Sequence, residues 1–168
     1  EKVLKKYLLK RKLKICDAGS GYGSNINFLK NYGVVTALEN NKGAINHLKK
    51  NFCDIDVIKW KSPQKLEVKF DLIVFADVLE HIKDDDKALE WSFNHLKKGG
   101  LILITVPSHN YLWTTMDDNL FHFRRYKKKE LEKKLKKYFS IKFIFYYNFF
   151  LFPLKIIIKI YDQILKKC

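Results

Sequence analysis

The feature that most constrains this chain is a turn with glycine at three alternate positions, Gly19, Gly21 and Gly23, set directly after the apolar run Leu13 to Cys16 and the acid Asp17. Glycine lacks a Cβ, so the backbone can turn sharply there and a ligand can lie against it. The next apolar run ends on a lone acid, Glu39, about 20 residues on, where a carboxylate can accept hydrogen bonds from ribose hydroxyls. Strand, acid, glycine turn, helix, strand and second acid together describe a nucleotide-type cofactor site.

Two details separate the candidate cofactors. A dinucleotide fingerprint, G-x-G-x-x-G, needs its third glycine where this chain has Ser24. Asp17, two residues before the first glycine, would repel a pyrophosphate but suits a ligand carrying an ammonium and a sulfonium. At Asp17-Ala18-Gly19-Ser20-Gly21-Tyr22-Gly23 the chain resembles the first motif of class I S-adenosylmethionine (SAM) methyltransferases, and its His122-x-Arg124-Arg125-Tyr126 cluster resembles a bacterial methyltransferase-11/23-like subgroup. Phe70 to His81 is an apolar run with a polar ending, as a strand buried on both faces should be. In the resembling family its D-V-L-E-H ending faces cofactor and substrate. Asp84-Asp85-Asp86 opens a helix expected to run through Lys98 and to stop at Gly99-Gly100, followed by a buried strand closed by Pro107.

The resemblance, which spans roughly residues 10 to 155, implies a fold and a set of roles. The fold is α/β, a doubly wound Rossmann-like parallel sheet with the cofactor across the carboxyl ends of strands one, two and four. Gly19 and Gly21 would make room for the methionine part of SAM, with Ser20 in the same turn, and Asp17 would orient its ammonium. Tyr22 either flanks the cofactor or sits at the start of the following helix without touching it, and Asn25 either does the same or caps. Glu39 would hold the ribose, with Asn40 beside the adenine, and Ala76 and Asp77 would face the site from the end of strand four. Ser62 stands near the place where many relatives carry a Gly-Asp that reaches the adenine. Six strands are expected, at 13–17, 34–38, 55–59, 70–76, 101–106 and 140–146, so the last antiparallel strand of the family is expected to be missing.

Domain organisation is read as a methyltransferase domain over 1–150 and an amphipathic C-terminal helix over 151–168. Cys16, Cys53 and Cys168 show no paired spacing, which argues for a reducing, cytoplasmic setting and no disulfides. The five histidines are scattered and no Cys/His cluster has metal-ligand spacing, so no metal is expected. No signal peptide is expected from the opening residues. The chain begins at Glu1 rather than Met and is read as a piece of a longer protein.

The net charge of +15 invites a nucleic-acid partner. Yet the lysines are spread over nearly every helical stretch, and the base-gripping Asn/Asp-Pro-Pro-aromatic ending of strand four is replaced by Ala76-Asp77-Val78-Leu79. Nucleic acid is therefore set behind a small-molecule, sugar or lipid-linked acceptor, with RNA or protein methylation, or a SAM-binding module without turnover, as alternatives.

Of 33 basic residues only Arg11, Arg124 and Arg125 are arginine. Two of them side by side in His122-Phe123-Arg124-Arg125-Tyr126 suggest that guanidinium geometry matters there. Either an arginine pairs with Asp117 or Asp118 to anchor the loop, or Arg124, Arg125 and Tyr126 line the acceptor pocket. Tyr111 and Trp113 are either an aromatic lid on that pocket or local packing. His81 and His122 are the candidate general bases, His81 alternatively capping its loop, and His109 is a weaker candidate. His47 and His95 fall in helices and are expected at the surface.

Phe143 to Leu154 is uncharged, but a span needs about 20 residues. From Pro153 on, Ile156, Ile157, Ile160, Ile164 and Leu165 oppose Lys155, Lys159, Asp162, Gln163 and Lys166. Such a basic amphipathic helix over 151–167 either packs on the core or lies on the inner face of a membrane. With the last strand missing, its apolar side is expected to be exposed, which also suggests a homodimer.

Overall fold

The structure is a computed structural model that describes residues 12–61, 64–147 and 152–165. The chain divides into two compact units, residues 1–76 with 91–105, and residues 77–90 with 106–168.

The first unit is built on five parallel strands: β1 (Leu13–Ala18), β2 (Gly33–Glu39), β3 (Asp56–Lys59), β4 (Phe70–Ala76) and β5 (Leu96–Thr105), ordered β3-β2-β1-β4-β5. β1 runs in register with β2 from Leu13↔Gly33 to Ala18↔Leu38, and with β4 from Ile15↔Leu72 to Asp17↔Val74. Order reverses between β1 and β4, the switch point where open α/β sheets bind ligands. β4 is buried along its whole length up to Ala76, which is why its sequence is almost unbroken in apolar residues. On one side of the sheet Ile26 and Leu29 of helix α1 (Ile26–Lys30) and Leu48 of helix α2 (Lys42–Asn51) pack with Leu13, Ile15, Val35, Ala37, Leu72 and Val74.

Three expectations are corrected here. Helix α3 spans Asp85–His95 and stops three residues before Lys98, because Leu96 already pairs with Phe70 and the ladder then shifts register through a bulge between Phe70 and Leu72. Gly99, at φ 76, lies inside β5 and serves that irregularity rather than a helix end. β5 is the sheet's edge among the described strands and is only half-buried, whereas a fully buried strand was expected at 101–106. No strand forms at 140–146; Phe143, Phe145 and Tyr146 are exposed, since β-favouring residues make a strand only against a partner. The described sheet therefore has five strands, not six.

The second unit holds a 3-10 turn at Leu79–His81, the first turns of α3, a 3-10 turn at Asn110–Leu112, and helices α4 (Thr115–Asn119), α5 (Lys128–Leu135) and α6 (Phe152–Leu165). Charge binds it together. Asp85 accepts from the Tyr126 hydroxyl at 2.9 Å and pairs with Arg124 and Lys134 at 2.8 Å, while Asp86 pairs with Lys134 and Lys137. Burial alone would raise the Asp85 carboxyl, but Lys134, Tyr126 and Arg124 together hold it below the usual range. Helix α6 buries none of its described residues, and it meets the rest of the unit through Asp162, which accepts from Thr115, and Lys159, which donates to the Tyr111 carbonyl.

Candidate functional site

The glycine turn in the first unit is a worked hydrogen-bond assembly. The N–H groups of Gly19 and Ser20 donate to the Leu38 carbonyl at 2.8 and 3.1 Å, and the Ser20 hydroxyl donates to the Asp17 carbonyl at 2.7 Å. Gly21 N–H donates to Glu39 Oε2 at 2.7 Å, and Asn40 and Asn41 N–H donate to Oε1 at 2.6 and 2.8 Å. Gly21 and Gly23 lie at φ 53 and 88, a region that costs an L side chain strain. They differ in surroundings. A Cβ on Gly23 would meet the Phe52 and Leu48 side chains at 2.7 and 2.9 Å, so that glycine lets the turn sit down on α2. A Cβ on Gly21 would meet nothing within 4 Å, so Gly21 fronts open space.

Beneath the turn Asp17 is 1% exposed, and its Oδ2 has no partner. Burial pushes this carboxyl up to about 6, with the Ser20 hydroxyl opposing and the Glu39 charge adding. An unpartnered buried carboxylate oxygen costs free energy until a donor reaches it. An ammonium suits it in charge and in hydrogen bonding. Glu39 already accepts three N–H bonds of the roughly four a carboxylate can take. One ribose hydroxyl fits as Glu39 stands; a two-hydroxyl grip needs the Gly21 bond to yield. The residues present thus fit SAM.

Other expected cofactor residues are less engaged. Tyr22 is exposed, its ring edge-on to His47 at 5.3 Å; Asn25 caps α1 without a side-chain bond. Asn40 is exposed, Ala76 ends β4 half-buried, and Asp77 is exposed at φ 54. Ser62 lies outside the described residues.

The second unit brings together side chains far apart in sequence. Glu80, His81 and His122 have ligand-capable atoms within 4.8 Å of one another, and the two imidazoles meet edge to face at 4.6 Å. Glu80 is 1% exposed and its Oε2 has no partner. Burial pushes its carboxyl up to about 7, the charges of Asp77 and Asp117 adding and a backbone N–H and Arg125 opposing. His81 is held below the ordinary imidazole value, by partial burial first and by His122 second, against a bond to the Leu120 backbone and the Asp77 charge. His122 Nδ1 lies 2.9 Å from Asp117 Oδ1. The sequence marks Glu80 only within the D-V-L-E-H ending and assigns it no role of its own, because its partners from residues 117–125 are far away along the chain.

Both arginines are held by acids, Arg125 by Asp117 and Arg124 by Asp85 rather than by Asp117 or Asp118. Arg125 grips Asp117 at two points, 2.8 and 2.9 Å, and donates to the Ser108 carbonyl; Arg124 holds Asp85 and the Lys83 carbonyl. Asp117, not Asp118, is the anchor: it also closes the capping box with Thr114. Burial would raise its carboxyl, yet Arg125, the Thr114 N–H and His122 keep it low. Tyr126 is buried on Asp85. Trp113 donates to Asp118 at 2.9 Å and stands edge-on to His122 at 6.5 Å, whereas Tyr111 is exposed among His109, Phe152 and Lys159. His47 is at the surface as expected, but His95 is not: it is buried in the first unit, stacked on Trp91 at 4.4 Å, one ring nitrogen on the Trp91 carbonyl and the other accepting from Leu66 N–H.

Comparison with known proteins agrees with this geometry. Residues 1–141 match the family model described as a methyltransferase domain, methyltransferase 23. No curated protein matches the sequence. Among solved structures, a protein of Bacillus halodurans C-125 described provisionally as a methyltransferase superposes with a TM-score of 0.70 at 16% identity, over 81% of this chain and 66% of its own. A SAM-dependent methyltransferase from Clostridium acetobutylicum gives 0.59 at 21% identity, over 66% of this chain and 48% of its own. Coclaurine N-methyltransferase, bound to N-methylheliamine and S-adenosylhomocysteine (SAH), gives 0.53 at 18% identity, over 60% and 32%. The chain therefore spans less than two thirds of each of these structures. With the family model matching most of its length, the chain belongs to the methyltransferase-domain family, of class I Rossmann-like fold, whose cofactor is SAM.

Proposed function

We propose that this chain transfers the methyl group of SAM to a small-molecule, sugar or lipid-linked acceptor. The observation that carries the reading is Asp17: a buried carboxylate with one unpartnered oxygen, under a glycine turn whose Gly21 faces open space and whose far side is held by Glu39. SAM bound there supplies a methyl carbon on a sulfonium, which an acceptor nucleophile displaces in line with loss of SAH. Asp17 orients the ammonium, Glu39 holds the ribose and the turn's backbone lies along the methionine part, so the protein's main contribution is positioning. For a hydroxyl acceptor the proton goes to the imidazole pair, where His122 is oriented by Asp117. With Arg124 and Arg125 committed to Asp85 and Asp117, acceptor contacts fall to Tyr111 and Trp113 in this reading.

Calorimetric titration with SAM and SAH tests it. Micromolar binding is expected, weakened in Glu39→Ala by roughly 1.5–3 kcal/mol for loss of a charge-assisted bond. A folded sample that binds neither ligand overturns the reading.

We also place α6 against an anionic membrane surface. No described helix is long and apolar enough to cross a membrane. What supports a surface contact is Leu154, Ile157, Ile160, Ile164 and Leu165, all more than half exposed, with Lys155 and Lys159 on the same short helix. A second copy of the chain on that face is the alternative, and sedimentation would show it as a dimer.

A further inference from the structure

We propose that Glu80, His81 and His122 bind one divalent transition-metal cation, zinc foremost, and that its remaining coordination positions take an oxygen ligand.

Three independent features carry this. First is the donor set: two imidazoles and one carboxylate, with ligand atoms within 4.8 Å of one another. Around a tetrahedral ion with bonds of about 2.1 Å, ligand atoms sit about 3.4 Å apart, so closure needs only small side-chain movements. Two nitrogens and one oxygen leave at least one position open, as in metal sites that act on a substrate rather than brace a fold.

Second, Glu80 Oε2 has no partner in a side chain 1% exposed. A buried carboxylate oxygen is costly unless it meets a donor or a cation. A cation in the pocket supplies that partner.

Third, one imidazole is already tied at one edge. His122 Nδ1 is fixed by Asp117, itself clamped by Arg125. A ring nitrogen held by an oxygen acceptor leaves its opposite nitrogen free to ligate and more basic, the arrangement usual around ligating histidines. Arg125 and Asp117 are then positioning residues for His122.

The oxygen-ligand half rests on the methyltransferase reading. A hydroxyl acceptor on the cation loses its proton to solvent more readily, as bound water does. Nothing is oxidised or reduced. With the cation bound the imidazoles serve as ligands, and they serve as the proton acceptor only where it is absent.

The test begins with the full chain freed of metal by a chelator, then titrated with Co2+ followed by visible absorption and with Zn2+ by calorimetry. One equivalent should bind, at micromolar dissociation constant or tighter. His81→Ala, His122→Ala and Glu80→Gln should each weaken it at least tenfold while SAH affinity stays within twofold, which shows that they fold. His47→Ala should leave Co2+ binding unchanged. Acetohydroxamate, an oxygen chelator, should shift the Co2+ bands. The metal site is overturned if the chain takes up no equivalent, or if all three variants bind as tightly as the parent. Bands unmoved by the chelator overturn the open positions. SAH binding without metal binding would leave the methyltransferase reading standing; metal binding without SAH binding would do the reverse.

Discussion

The glycine turn and the Glu80–His81–His122 cluster share one peculiarity: each holds a buried carboxylate with a single orphaned oxygen, Asp17 Oδ2 in the first and Glu80 Oε2 in the second. Both carboxyls are pushed up, to about 6 and about 7, with burial the leading cause. They differ in how they are assembled. Asp17, its turn and Glu39 come from two adjacent strands and the loop between them, fixed by backbone bonds to Leu38 and Glu39. Glu80 depends on residues about forty positions away, in a loop held by the two-point Asp117–Arg125 pair and by Arg124 on Asp85. The first site is made by the sheet; the second is made by charge.

The largest effect that would break this contrast is at the clamp. Arg125→Ala leaves Asp117, almost wholly buried, without its cation, and stability should fall by about 3–5 kcal/mol. SAH binding by the molecules that remain folded should survive. A melting temperature within a degree of the parent would show that the second region does not depend on the pair.

Asp17→Asn should move two quantities in opposite directions. The folded carboxyl is raised above its unfolded value of 3.8, so its charging cost is absent below about pH 4 and complete above about pH 6. The variant should therefore gain up to about 3 kcal/mol of ligand-free stability at pH 7 and nothing at pH 4. SAM affinity should drop, and in the parent it should fall as pH is lowered through 6, where protonation of Asp17 competes with the ammonium. A flat affinity profile from pH 7.5 to 5 would remove Asp17 from the ligand.

The two glycines sharpen the picture further. Gly23→Ala should cost roughly 1–3 kcal/mol, from overpacking on Phe52 and Leu48 added to left-handed strain. Gly21→Ala pays only the strain, about 1 kcal/mol, yet should weaken SAM strongly because its methyl enters the space the ligand needs. Equal losses of affinity in the two variants would contradict the division of labour between them. The smallest effect concerns α6: Ile157→Asp should lower retention on anionic vesicles several-fold with no change in SAH binding, and unchanged retention would take the helix off the membrane.

This contrast also explains what could be read from the chain. The cofactor turn was legible because its chemistry lies within consecutive residues whose backbone demands are local: glycine where φ is positive, an acid at each strand end. Strands β1 and β4 were legible for the same reason, buried along most of their length and bounded by polar turns. The start of β5 was not, since Leu96 joins the ladder through a bulge that only Phe70 opposite can reveal. Nor was the fate of 140–146, where residue preference is strong but no strand among the described residues pairs with it. His95 looked like a surface residue because a polar ring on a helix gives no hint that Trp91 will stack on it and that Leu66 N–H will need an acceptor. Arg124 and Arg125 stand out by composition, but composition cannot tell a clamp from a pocket wall.

Glu39 spans the gap between empty and loaded states. Its carboxylate already binds Gly21 N–H, so the turn is held in shape before any ligand arrives. The ordering entropy of the loop has been settled in folding, and association should approach the encounter rate with no slow closing step. The same bond makes Glu39→Ala an ambiguous lesion on its own, because it removes a ribose contact and frees the turn together. Stopped-flow binding separates the two: a lost contact quickens dissociation alone, whereas a loosened turn also slows association.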